Sequence, residues 1–155
     1  MTKNSVLDDY IDQRTDVEAV LTWYRGMSSQ DATLAMSRFT EDCRYWAVGL
    51  QEHGLERYWL TGRDIITDYL AENCTRTEPG KLTYTPLHIG VSGSTVLVEC
   101  TTDAHFSIGH HYVNRGVYVF DCNDDHEIVE MRPFYDWGPV AAHRAATGWT
   151  GAPED

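Results

Sequence analysis

The sequence predicts an α+β fold, with helices first and a mainly antiparallel sheet after them. Three observations predict it. Residues 17–39 and 63–73 place apolar side chains at helical spacing, whereas residues 81–135 read as successive strands. Residues 110–137, HHYVNRGVYVFDCNDDHEIVEMRPFYDW, form a long β-hairpin around the polar turn Asn123-Asp124-Asp125 by pattern and turn chemistry. A chain of 155 residues, 42% hydrophobic and 23% charged, suits one domain with a real core. A strongly curved sheet wrapped around helices leaves a cavity at its wide end, and such concave places bind small molecules.

Taken in order, Met1 to Arg14 is polar and acidic and reads as a peripheral tail. Thr15 and Asp16 can cap a helix from Val17 to about Ser29, with Val17, Val20, Leu21 and Tyr24 on one face and Trp23 and Met27 beside it. Ser29 or Asp31 caps a second, short helix containing Leu34, Ala35, Arg38 and Phe39. A strand follows from Cys43 to Gly49, and residues 50–61 read as an aromatic loop. Gly62 precedes a third helix, about Arg63 to Asn73, whose apolar side is Ile65, Ile66, Tyr69 and Leu70. Thr75 to Gly80 is a linker, Lys81 to Val91 a strand, Ser92-Gly93-Ser94 a tight turn and Thr95 to Phe106 the next strand. Beyond the hairpin, Gly138 to Asp155 is rich in Ala, Gly and Pro and reads as a second tail, with Trp149 its candidate for packing.

Composition removes several partners. Net charge is -12, from 24 acids against 12 bases, which argues against nucleic acid and anionic membrane surfaces. No stretch suggests a signal peptide or a bilayer span. Cys43, Cys74, Cys100 and Cys122 make no CxxC pair and read as reduced thiols of a cytoplasmic protein. His110 and His111 are adjacent, so on a strand they point to opposite faces. With no HxH, HxxxH or CxxC partner, the sequence predicts no metal site. No phosphate loop, Rossmann fingerprint or Ser-His-Asp order is present, and no cofactor is expected.

Alternation sorts the strand residues into two faces. On the hairpin's first strand, Tyr112, Asn114, Gly116, Tyr118 and Phe120 share one face. On the strand before, Cys100, Thr102 and Ala104 oppose Glu99, Thr101, Asp103 and His105. On the last strand, Met131, Pro133 and Tyr135 oppose Glu130, Arg132, Phe134 and Asp136.

This layout, with Val96 to Glu99 and the hairpin as its clearest motifs, resembles the nuclear transport factor 2-like superfamily from about Val17 to Trp137. The group includes ketosteroid isomerase, scytalone dehydratase, limonene epoxide hydrolase, SnoaL-type polyketide cyclases and the phenazine-biosynthesis proteins. The resemblance implies a cone-shaped barrel with one internal pocket, and a homodimer formed through outer sheet faces. It also implies that Cys100/Thr102, Asn114/Gly116 and Met131/Pro133/Tyr135 face inward. The base and oxyanion groups of the isomerase fall at Ala47, Trp23 and Gly116, where this chain lacks them. The Arg and two Asp of the epoxide hydrolase fall at Cys100, Thr102 and Pro133, and Pro133 also stands where the phenazine proteins carry a glutamate.

Scytalone dehydratase is the better match. Its strand histidine resembles His88 in Pro86-Leu87-His88-Ile89-Gly90, and its carbonyl-holding asparagine resembles Asn114 in His111-Tyr112-Val113-Asn114. Its second histidine matches His105 if a bulge turns that residue inward. Its tyrosines correspond to Tyr45 or to an aromatic within Arg57-Tyr58-Trp59. Eliminating water beside a carbonyl needs a base for the α-proton, an acid for the leaving hydroxyl and a donor for the enolate. His88 would make both proton transfers and Asn114, with Tyr45 or Tyr112, would hold the enolate, with Asp103 as a candidate to hold the histidine tautomer. Trp23, Tyr24, Met27, Trp46, Tyr58, Trp59, Tyr112, Tyr118 and Tyr135 are candidates for an apolar pocket wall, although aromatics are core by default. The expected function is a dehydratase, isomerase or cyclase acting on a hydrophobic, carbonyl-bearing metabolite such as a polyketide, steroid or terpenoid. The alternatives are a non-catalytic ligand-binding or association module, and epoxide opening with Glu130 or Asp103 as acid.

Overall fold

A computed structural model describes the backbone of residues 6–51 and 54–148, and the side chains of 11–47 and 57–148. The element order is α1 (Val6–Ser28), α2 (Ala32–Ala35), β1 (Phe39–Gln51), β2 (Gly54–Thr61), α3 (Arg63–Arg76), β3 (Thr77–Ser92), β4 (Thr95–Phe106), β5 (His111–Cys122), β6 (Ile128–Tyr135) and α4 (Trp137–Thr147). The six strands form one sheet in the order β2-β1-β6-β5-β4-β3. All pairs are antiparallel except β1 with β6. The sheet curves around the N-terminal helices, giving the cone expected from the sequence.

The core lies between α1 and the concave face of the sheet. Trp23, Met27, Phe120, Val96 and Met131 are at most 1% exposed. Trp23 meets Tyr24, Tyr84, Tyr118 and Phe120 at ring separations of 5.0–6.0 Å, all steeply inclined. Near the other end, buried Asp16 of α1 accepts from His126 Nδ1 at 2.8 Å, tying the helix to the β5–β6 turn. That turn is stapled by Asn123, whose side-chain oxygen accepts from the backbone N–H groups of Asp125 and Glu127.

Three expectations about elements are corrected. The helix expected to begin at Val17 begins at Val6, so most of the supposed N-terminal tail is helical. The loop expected over 50–61 is largely β2, whose Tyr58 and Leu60 pair with Ala47 and Tyr45 of β1. The supposed C-terminal tail contains α4, which packs on the sheet through Val140, His143 and Arg144. Trp149 and the rest of that tail lie outside the described residues.

Gly116 is dictated by close approach rather than by backbone angle. A Cβ there would stand 2.2 Å from the Phe134 carbonyl oxygen and 2.9 Å from Tyr135 Cα, so β5 and β6 could not keep their spacing. We expect Gly116→Ala to destabilise the fold by about 1–3 kcal/mol, as overpacking does. A urea titration showing an unchanged midpoint would contradict this.

Candidate functional site

Six tyrosines surround the cavity at the wide end of the cone: Tyr45, Tyr69, Tyr84, Tyr112, Tyr118 and Tyr135. They come from four strands and α3. Thr102, Ala104 and Phe106 add the inner face of β4, and Asn73 and Thr77 the end of α3 and start of β3. The mouth is covered by α4, which brings Val140, His143 and Arg144 over the tyrosines. The cavity volume is about 80 Å³, well below the roughly 300–1,000 Å³ of a typical small-molecule site. A ring-sized ligand therefore enters only if α4 or the tyrosine rings give way.

The burial of these groups sets their charge states. Burial raises the Tyr45, Tyr84 and Tyr118 hydroxyls well above their usual range, and it pushes Tyr112 up to about 12. All of them are neutral hydrogen-bonding groups at pH 7. Arg144 hydrogen-bonds Tyr69, whose hydroxyl is raised by burial and partly held back by that cation. His143 is 6% exposed and packs against Phe106 at 4.3 Å and against Tyr112 and His110 at 5.4 Å, ring to ring. Burial first, then the neighbouring charge of Arg144, lowers its pKa to about 4, so the imidazole is neutral at pH 7.

That shift makes a stability prediction. The folded value of about 4 lies below the ordinary histidine value of 6.5, so in that window the unfolded chain binds a proton that the folded chain refuses. This contribution is complete above pH 6.5 and is lost as pH falls through 4. Urea midpoints at about pH 7 and about pH 4.5 should therefore differ more for the natural protein than for His143→Gln. Equal differences would remove the burial argument.

The expected site residues divide into four groups. Tyr45, Thr102, Tyr112, Tyr118 and Tyr135 line the cavity. Trp23, Tyr24, Met27, Cys100 and Met131 are buried in the core instead, with Tyr24 donating to Cys100 Sγ at 3.5 Å. Gly116 serves strand packing, and half-buried Tyr58 lies beside Tyr69. Trp46 and Trp59 are on the outer face, stacked at 5.8 Å with Arg44 lying 3.8 Å over Trp59.

His88 is also on the outer face, which corrects the main catalytic expectation. Pro86 pairs with Cys100 but His88 pairs with Glu99, so Leu87 is an extra residue in β3. Without that bulge His88 would stand opposite inward-facing Val98; with it, the side chain turns out. It is 79% exposed and bonds Glu99 at 2.8 Å, and Arg115 clasps the same carboxylate. Asp103 and His105 are exposed on the outside as well, with no bulge in β4 to turn His105 inward. Glu130 faces out too and engages Arg132 and Arg44, so both carboxylates considered for epoxide opening lie away from the cavity. Among the described residues that line the cavity, none is a carboxylate.

Asn114 faces inward and is 5% exposed, but its amide is used within the fold. Its Nδ2 donates to the Tyr112 hydroxyl at 2.8 Å and to the Asp136 carbonyl at 3.0 Å. Its Oδ1 accepts from the N–H of Arg115 at 2.8 Å and of Asp136 at 3.2 Å. Asn114 thus aims a cavity tyrosine and pins the start of α4, for which Asp136 is the N-cap residue. It is a positioning residue in this geometry.

Sequence reasoning missed Tyr69, Tyr84, His143 and Arg144. The last two had a readable signal. Asp136 before the helix, Pro139 in its first turn, Arg144 in its last, and Gly148 in the left-handed cap conformation are helix-boundary signals.

Among curated protein sequences, none matches the chain. Solved structures with the same fold are numerous. A putative isomerase from Bacillus subtilis superposes with a TM-score of 0.70 at 20% identity, over 91% of this chain and 96% of its own. SalBIII, an epoxide hydrolase/cyclase-like enzyme with a role in pyran ring formation in the polyether salinomycin, gives 0.67 at 20% identity over 83% and 95%. RV0760c from Mycobacterium tuberculosis, in complex with estradiol-17beta-hemisuccinate, gives 0.67 at 15% identity over 80% and 95%. At these identities the likeness is one of fold. The SnoaL-like domain model matches residues 20–131, most of the chain, and the protein therefore belongs to the SnoaL-like family.

Proposed function

We propose that this protein is an enzyme that dehydrates, isomerises or cyclises a small, hydrophobic, carbonyl-bearing metabolite by proton transfer at His143. One observation carries the reading: buried His143 and Arg144 stand side by side on α4, facing a ring of neutral tyrosines. A polyketide-, steroid- or terpenoid-like skeleton suits such walls, whose rings offer apolar faces and polar edges. The family and its structural neighbours, with a cyclase-like enzyme and a steroid-ester complex among them, support the same substrate class.

The chemistry follows from the charges. Neutral His143 takes the α-proton of the substrate. The electron pair moves onto the carbonyl oxygen, which Arg144 and a tyrosine hydroxyl stabilise. The proton then goes to a leaving hydroxyl, giving water, or returns to another carbon, giving an isomer. Arg144 lowers the basicity of the resting imidazole. A developing enolate between the two offsets that repulsion, so His143 becomes a stronger base at the moment it is needed. Asn114 acts through Tyr112 and α4, and α4 acts as the lid.

An untargeted mass comparison tests this. The natural protein and His143→Gln are each incubated with an extract of producing cells. A product one water lighter than a consumed compound, formed only by the natural protein, identifies a dehydratase; an equal-mass product identifies an isomerase or cyclase. A gain of water would replace the reading with hydrolysis. No consumption in a substrate-rich extract would favour ligand carriage.

Two further features belong to the proposal. Four buried, unpaired cysteines fit a reducing, cytoplasmic setting. Outward-facing Leu97, Val117 and Phe134 are 36–43% exposed, which fits a homodimer through the outer sheet face. Light scattering should give the mass of two chains at micromolar concentration, and the mass of one chain would count against it.

A further inference from the structure

We propose that Asp103, His105 and His111 form a binding site for a divalent transition metal of the zinc class, on the outer face of the β4–β5 hairpin. Asp103 and His105 are two residues apart on β4 and so share a face, and His111 is the direct cross-strand partner of His105 on β5. The motif is therefore not a run in the sequence. It is an Asp-x-His on one strand completed by a histidine across the ladder.

The geometry fits a metal better than a chance surface pair. The two imidazoles stack at 4.0 Å with planes 11° apart, so both rings are already side by side; because each binds a metal in its own plane, one must rotate about χ2 to share an ion. Asp103 Oδ1 lies 2.9 Å from His111 Nε2 and 3.6 Å from His105 Nε2. All the donor atoms fall within 4.8 Å of one another. Metal bonds of about 2.0–2.2 Å place neighbouring ligand atoms about 2.8–3.6 Å apart in octahedral or tetrahedral geometry. The two Asp103–histidine separations span that interval, and a ring rotation that brings the two imidazole nitrogens onto one ion completes the set.

Donor chemistry selects the ion. Two imidazoles and one carboxylate favour Zn²⁺, Ni²⁺ or Cu²⁺ over Mg²⁺ or Ca²⁺, which prefer all-oxygen shells. A net charge of -12 raises the cation concentration near the surface. The three side chains are 48–54% exposed, leaving the remaining coordination positions open to water. The bound ion would clip the turn end of the hairpin, where His105 is the last residue of β4 paired with β5. On the inner side of that same end, Phe106 and His110 pack against His143. A metal there would steady the platform beneath the lid without touching the cavity. This site does not depend on the reaction proposed above.

The test is calorimetric titration of Zn²⁺, and electron paramagnetic resonance with Cu²⁺, on chelator-treated, tag-free protein. One ion per chain is expected, with nitrogen couplings in the Cu²⁺ spectrum and a raised Tm with Zn²⁺. His105→Ala and His111→Ala should each weaken binding by at least about tenfold, since even outer-shell substitutions cost 10–100-fold. His88→Ala, on the same face, should leave it unchanged. These substitutions lie on the surface, and an unchanged circular dichroism spectrum verifies that each variant folds. Binding that survives both histidine substitutions, that moves with His126 or a cysteine, or that is absent from the natural protein would overturn the proposal.

Discussion

His143→Gln is expected to lower kcat/KM by about 10²–10⁴-fold, the usual worth of a positioned general acid or base. Glutamine keeps much of the side-chain volume and hydrogen-bonding capacity but cannot carry the proton. The loss should fall on kcat, with KM changed little, because a proton transfer is realised only in the transition state. The natural enzyme's rate should hold at mildly acidic pH and fall with a midpoint near the His143 value of about 4 rather than near 6.5. Arg144→Gln should damage the same step by removing the oxyanion cation, and Arg144→Lys should restore it only in part, because an ammonium lacks the planar fork. His88→Ala provides the contrast. Its side chain lies on the far side of the sheet, bonded to Glu99, so its removal should leave turnover near that of the natural protein. If His88→Ala abolished turnover and His143→Gln did not, the site would have to be moved.

Trp23→Ala should cost about 3–5 kcal/mol of folding stability, the largest single-residue effect we expect outside the site. The indole is 1% exposed and forms the centre of an aromatic cluster that joins α1 to β3 and β5. Truncation would remove several edge-to-face contacts and leave a void that close packing on both sides cannot fill. Trp23→Phe should be much milder. Among the described residues the buried Trp23 Nε1 has no acceptor, so phenylalanine loses volume but also relieves an unmet donor. Chemical denaturation of the two variants separates these contributions. Equal destabilisation would mean that a single ring cannot replace the packing of the indole and that relief of the unmet donor counts for little.

The strands from Thr95 onward were legible because their signals are local. Alternation in β4 and β5 and the Asn123 turn set register without help from the rest of the chain. His88 was misplaced because its assignment rested on the resemblance of Pro86-Leu87-His88-Ile89-Gly90 alone, and nothing in Pro86-Leu87-His88 declares that Leu87 is supernumerary; the bulge shows only against Cys100 and Glu99. The lid was missed for another reason. Trp137–Thr147 is mostly small residues, with Val140 as its buried aliphatic side chain, and its two functional groups look like solvated charges. Its boundary signals were present and would have sufficed. The metal-type cluster was hidden because its third member is a neighbour only across the ladder.

The parallel pairing of β1 with β6 carries a temporal consequence. Tyr45 meets Met131 only after the whole intervening chain is available, whereas β3 to β6 pair with their sequence neighbours. During synthesis, β1 and β2 leave the ribosome as a hairpin whose inner edge has no partner until β6 emerges. Contacts of such long range slow folding, so closure of the cone is expected to be its late event. Pulsed hydrogen exchange should then show amides of β4 and β5 protected before those linking Tyr45 to Met131. For that interval the hairpin is the part of the chain most exposed to pairing with a stranger, which makes chaperone capture of N-terminal fragments ending before Ile128 the natural hazard of this topology.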